Sequence, residues 1–245
     1  MNEISATSDL DALNAWYQTP FGRMLKAQVA DALLSCLKPL PVNELLHLGV
    51  GGFDEVLAGQ KDERMIFFTD MACQHLLAKE ENTLPLREGS QECVVLLHGL
   101  DIAGDPHGVL REINRIMSVR GYLVIVGFNA LSGWGWYRPF RNVYRWKRAM
   151  PWTLRFYSTG RLRDWLSLLG FDIRQARTLN FRPHVHKPKL LDNFRHIDTL
   201  GGLMLPFFGN VYILTAQKRA MPLTPVLNRK FRGSLLKPGL VEPGV

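Results

Sequence analysis

A doubly wound α/β fold, with a mostly parallel sheet and helices on both faces, is predicted by three features of this sequence. Residues 92–100 and 122–128 are near-continuous apolar runs, as parallel strands covered on both faces require. Between them, a stretch opened by Asp105-Pro106 carries Val109, Leu110, Ile113, Ile116 and Met117 on one helical face. That strand–helix–strand unit is the right length for a parallel crossover. An earlier apolar run, residues 44–50, ends in Gly51-Gly52, as a strand does when it enters a tight turn.

The remaining elements follow in chain order. Residues 1–18 read as a loose helical lead-in. Thr19-Pro20 is an N-cap and first-turn pair, and Met24, Leu25, Val29, Leu33, Leu34 and Leu37 give the helix after it an apolar face that Lys38-Pro39 ends. After the first strand at 44–50, a second is expected at 65–69, closing on Asp70, with a helix over 71–79. The third strand has only residues 80–83 available and is short or missing. Strands four and five are the two apolar runs at 92–100 and 122–128. Residues 129–157 form an insertion. Ser158 or Thr159 then caps a helix over 160–169 that turns Leu162, Trp165, Leu166 and Leu169 inward, with Gly170 just past its end. The last two strands are expected at 171–179 and 210–217, joined by a long His- and Pro-containing connection.

The 245 residues suffice for one domain with a sizeable core. We expect a single domain over 1–219, made of a core (19–129), an aromatic and basic insertion (130–157) and a C-terminal helix and strands (158–219). A Pro-, Gly- and basic-rich tail over 220–245 has little periodic pattern and is expected to be extended or disordered. No apolar run reaches the roughly 20 residues of a membrane span. The N-terminus lacks a basic region followed by an apolar one, so a cytoplasmic protein is expected. Cys36, Cys73 and Cys93 are too few and too scattered for a disulfide framework. Net charge is +8 but unevenly spread. Residues 1–128 hold 10 Lys and Arg against 17 Asp and Glu, and residues 129–245 hold 20 against 5. Such asymmetry points either to an anionic partner at the C-terminal half or to a plain solvated basic surface.

Candidate functional residues gather where the strands end. The first strand and its turn read Leu46-His47-Leu48-Gly49-Val50-Gly51-Gly52-Phe53. Glycines at such a turn let the backbone approach a ligand closely. Asp70 lies 21 residues after Gly49, where an acid can accept hydrogen bonds from both ribose hydroxyls of a nucleoside; it can equally cap the next helix. His98 ends the fourth strand, where open α/β sheets bind ligands. It can line a pocket, take a proton from a substrate, or be a satisfied edge histidine. Asn129 follows the fifth strand and can face the same crevice or serve a turn. In the insertion, basic Arg138, Arg141, Arg145, Lys147 and Arg148 alternate with aromatic residues. That pattern suits single-stranded RNA or an acidic membrane surface. It also suits a lid, which would place Trp134 and Tyr137 beside Asn129 along a substrate pocket. His184, His186 and His196 have no carboxylate or cysteine cluster with them, so no metal is expected.

The segment from Leu84 to Asn129 also resembles the C-terminal half of the methyltransferase type 11 domain, a class I S-adenosylmethionine-dependent family. The resemblance rests on Leu84-Pro85-Leu86, His98-Gly99-Leu100-Asp101, Asp105-Pro106, Leu110-Arg111-Glu112, Arg115-Ile116-Met117 and Arg120-Gly121. It implies a Rossmann-like sheet of seven strands, the last antiparallel, and S-adenosylmethionine as cofactor. It places Gly49 and Gly51 at the family's first two loop glycines. Gly52 stands at a tolerant position, Phe53 at the third glycine and His47 where an acid is common. It further implies Asp70 on the ribose, Glu80 on the adenine amino group, Leu84 beside the adenine ring and His98 near the methionine portion. The acceptor it implies is a small-molecule or lipid-like compound, with RNA as the alternative. A methyltransferase fold that has lost activity and acts as a regulatory or scaffold module is the other reading, and the His47 and Phe53 departures favour it.

Overall fold

The computed structural model describes residues 3–53, 83–137, 154–182 and 207–220; for residues 3–8 and for Tyr137 only the backbone is described. Five strands are described: β1 (Leu45–Gly49), β2 (Gln91–Leu97), β3 (Met117–Phe128), β4 (Phe171–Leu179) and β5 (Val211–Lys218). They form one mixed sheet in the order β1-β2-β3-β5-β4. β1, β2 and β3 run parallel, and β5 is antiparallel to both β3 and β4. The resemblance implied an antiparallel last strand, and β5 is one. The seven expected strands become five here, because the elements expected at 65–69 and 80–83 lie outside the described residues, as does the 220–245 tail from 221 onward.

Alternation of side chains along the strands divides the core in two. Leu46, Leu48, Val94, Leu96, Leu123 and Ile125 point to one face, where they pack on two helices. These are α4 (Pro106–Ile116) and α6 (Thr159–Leu168). Leu45, Val95, Leu97, Val124, Val126 and Phe128 point to the other face. There they meet α1 (Glu3–Tyr17) and α2 (Pro20–Leu37). Two short helices, α3 (Gly99–Ile102) and α5 (Gly133–Tyr137), follow the C-terminal ends of β2 and β3.

The helix starts are where side-chain chemistry puts them. Thr19 accepts from Gly22 N at the start of α2, Asp105 from His107 N at α4, and Ser158 from Arg161 N at α6. The expected inner face of α4 is fully buried: Val109, Leu110, Ile113 and Ile116 are at most 1% exposed. Each such side chain contributes about 1.5–3 kcal/mol through removal from water.

Three boundaries differ from expectation for local reasons. The lead-in contains a regular helix, Glu3–Tyr17, whose Leu10, Leu13, Trp16 and Tyr17 are core residues. β2 stops at Leu97, because His98 adopts the left-handed conformation at φ 55° and breaks the ladder. β3 begins at Met117 rather than 122, directly where α4 ends, and Arg120 in the left-handed region (φ 66°) lies in its first half. Among the described residues no helix is long and apolar enough to cross a membrane.

Candidate functional site

The C-terminal ends of β1, β2 and β3 lie side by side, and the glycine turn leaves the first of them. Gly49 has φ 114°, and a Cβ built there would collide with the Leu97 carbonyl oxygen. That carbonyl instead accepts from Val50 N at 3.0 Å. Gly49 therefore ties β1 to the end of β2. Beyond it the backbone opens: Gly51 is half-buried and Gly52 exposed, with φ 79°. Lys26 of α2 comes down on this opening. Its Nζ lies 3.0 Å from the position of a Cβ on Gly52 and 5.4 Å from the centroid of the Phe53 ring. Phe53 itself is fully buried and meets Tyr17 edge to face at 5.6 Å.

Next to this turn, His98 is held in a buried chain of hydrogen bonds. Its Nδ1 is 2.8 Å from Asp101 Oδ2, and its Nε2 is 2.6 Å from the Tyr17 hydroxyl. Asp101 Oδ2 also accepts from the Phe128 amide at 2.9 Å. His98, Asp101 and Tyr17 are no more than 2% exposed, so these groups must satisfy one another. A carboxylate only accepts, which puts the ring proton on Nδ1 and leaves Nε2 to accept from the Tyr17 O–H. Burial, with the Asp101 charge behind it, pushes the Tyr17 phenol far above its ordinary range, so it stays a donor. The His98 ring lies 4.3 Å from that of Phe128, inside an aromatic group that includes Trp16, Phe21 and Trp134.

Leu84 is buried in the core on the α4 side, and it is held there by α4. Its N–H donates to Glu112 Oε1 at 2.7 Å, while Arg115 donates to the carbonyls of Leu84 and Leu86 at 3.1 and 2.9 Å. Arg115 and Glu112 also pair, at 2.6 Å. The Arg115 bond holds the Glu112 carboxyl below its ordinary value of 4.5. Because the folded value is depressed, this clamp contributes its full stability above about pH 4.5 and loses it as pH falls through the lowered value. Glu112→Ala is expected to cost about 1–3 kcal/mol of unfolding free energy at pH 7, by leaving a buried N–H without its acceptor. Urea unfolding at pH 7 and pH 3 checks this; the difference between the two proteins should shrink at the lower pH.

The other expected residues fall out as follows. Asn129 is buried and its side chain is occupied: it donates to the Phe207 and Gly209 carbonyls and accepts from Leu131 N. It closes a turn, the second of its expected roles. Trp134 is 3% exposed, within the aromatic group, and donates to the Arg182 carbonyl; it is a core residue. Tyr137 ends α5. His47 is buried mid-strand, on the same face as Leu45. Asp70, Glu80, His184, His186, His196 and the 138–148 segment lie outside the described residues. Sequence reasoning missed Tyr17, Lys26 and the Glu112–Arg115 clamp. Glu112 and Arg115 carried a local signal, three residues apart on one face of α4.

No family model matches the chain. A curated relative, the uncharacterised protein YafS of Escherichia coli (strain K12), is 37% identical over 142 residues, covering 58% of this chain and 54% of that protein. The chain therefore matches about half the length of that relative. Among solved structures, the [4+2]-cyclase SpnF is similar with a TM-score of 0.58 and 15% identity, over 90% of this chain and 97% of that one. A Thermotoga maritima S-adenosylmethionine-dependent methyltransferase, described as a possible histamine N-methyltransferase, is similar with a TM-score of 0.52 and 17% identity, over 84% and 93%. At these identities the likeness is one of fold, the Rossmann-like fold of methyltransferases. A cyclase shares it, so the fold alone does not set the reaction.

Proposed function

We propose that the chain is an S-adenosylmethionine-dependent methyltransferase acting on a small-molecule or lipid-like acceptor. The observation that carries this reading is the open glycine turn beside His98 at the ends of the parallel strands. Ligands of open α/β sheets bind at that edge. The donor set there fits the cofactor. Gly51 and Gly52 offer uncovered backbone, and Lys26 sets a cation beside Gly52 for the carboxylate of the methionine portion. Asp70 would accept from the ribose and Glu80 from the adenine amino group. The clamped Leu84 would flank the ring. Bound there, S-adenosylmethionine would supply an already activated methyl group, so the protein's task is to align the acceptor and exclude water.

One observation favours a second reading, a methyltransferase fold that serves as a regulatory or scaffold module. Phe53 and Tyr17 pack edge to face, and Tyr17 covers His98. The two readings and the acceptor class are tested together by incubating the protein with methyl-labelled S-adenosylmethionine. The incubations contain a small-molecule extract, a lipid extract or total RNA from cells. Label in the first or second supports the proposal. Label in RNA reassigns the acceptor and brings in the basic 138–148 segment as its contact. Failure to bind the cofactor, with no transfer to any fraction, favours the module.

A further inference from the structure

We infer that His98 Nε2 is the atom that takes a proton from the methyl acceptor, with Asp101 as its positioning residue, so that the acceptor is a compound bearing an O–H or N–H. This rests on the methyltransferase reading and narrows its substrate class.

Three features of the chain Tyr17–His98–Asp101 support it. The first is orientation. Asp101 is fixed by the Phe128 amide (2.9 Å) and in turn fixes the ring proton on Nδ1 (2.8 Å). A lone pair is thereby committed to Nε2. The second is what that lone pair faces. It accepts an O–H, from Tyr17, at 2.6 Å. Tyr17 ends α1, a helix that covers the ends of the strands, and its phenol is held protonated by burial and by Asp101. It cannot act as a base itself. An O–H or N–H of an acceptor in the place of the Tyr17 hydroxyl makes the same hydrogen bond to the same atom. The third is cost. A His–Asp pair sealed from water is weak evidence for stability, because two apolar residues would serve the core as well. His98 is also held at φ 55°, a strained backbone for a residue with a Cβ. Strain of this kind collects at functional sites.

The step balances. The acceptor's oxygen or nitrogen lone pair becomes the new bond to carbon, the old carbon–sulfur pair stays on sulfur, and the acceptor's proton passes to Nε2. The resulting imidazolium is paired with the Asp101 carboxylate and later releases its proton to water. Acceptors with no proton to lose, such as a thioether or a tertiary amine, make no use of this arrangement.

The test reads the ring nitrogens of His98 by nitrogen-15 NMR in the full chain, with His98→Gln for assignment. The expected result is a proton on Nδ1 and a hydrogen-bonded bare Nε2. Tyr17→Phe should move the Nε2 signal toward that of an unbonded nitrogen, and Asp101→Ala, which removes the acceptor of the Nδ1 proton, should let that proton move to Nε2. A proton on Nε2 in the wild type, or a tautomer indifferent to Asp101→Ala, overturns the inference. The labelled fractions supply the second readout. Asp101→Ala should lower the rate of transfer about 10²–10⁴-fold while binding of S-adenosylhomocysteine changes less than about threefold. The label should sit on oxygen or nitrogen that has lost a proton. Label on a sulfonium or quaternary nitrogen overturns the inference, and so does a cofactor-binding protein that transfers to no fraction. Failure to bind S-adenosylhomocysteine at all removes the methyltransferase reading itself, whatever the tautomer.

Discussion

Gly49→Ala is expected to destabilise the protein by about 3 kcal/mol or more, read as a lower urea midpoint with an unchanged slope. Two costs add. At φ 114° an alanine stands in backbone space that only glycine adopts freely, at about 1–3 kcal/mol. Its Cβ would also overlap the Leu97 carbonyl oxygen. That neighbour is backbone at the end of β2, hydrogen-bonded to Val50 N, and cannot step aside. β1 would have to part from β2, with loss of the Val50 N–Leu97 O bond of 3.0 Å. Gly52→Ala makes the comparison. It also has positive φ, but among the described residues its one close neighbour is the tip of the Lys26 side chain, which can swing away. About 1 kcal/mol is expected there. Equal losses at the two positions would mean that β1 and β2 are not joined as described.

Asp101→Ala is the second large effect, expected at about 3–5 kcal/mol. The substitution removes the acceptor for both His98 Nδ1 and the Phe128 amide, each buried. Neither can reach water without opening α1 or the end of β3. Asp101→Asn keeps an oxygen for the Phe128 amide and is expected to recover more than half of the loss. Thermal unfolding monitored by near-ultraviolet dichroism checks this, since Trp16, Phe128 and Trp134 crowd the same region. A loss under 1 kcal/mol for Asp101→Ala would show that the His98 chain is not sealed from water.

The fold was legible because its signals are local. The apolar runs of β2 and β3, the stripe of α4 and the caps Thr19, Asp105 and Ser158 each lie within a few residues of what they decide. The antiparallel β5 was not readable from its own run of apolar residues, which fits either direction; the resemblance implied it. The site was less legible. The glycine turn and His98 could be found from their places at strand ends. The partner of His98 Nε2 could not, because Tyr17 lies 81 residues away in a segment with weak periodicity. Only the packing of α1 over the sheet edge brings the two together. Asn129 shows the converse. Its position suggested the crevice, but the carbonyls of residues 207 and 209 needed donors, and its amide supplies them. Buried backbone satisfaction outweighs a favourable location.

The central claim is that the edge formed by Gly49–Gly52 and His98 holds S-adenosylmethionine. Calorimetric titration of the full chain with S-adenosylhomocysteine, beside Asp70→Ala, tests it most directly. The account predicts one site per chain with micromolar affinity, weakened at least tenfold by the substitution, since the ribose loses a charged acceptor. No heat of binding at millimolar ligand, or binding indifferent to Asp70→Ala, would contradict it.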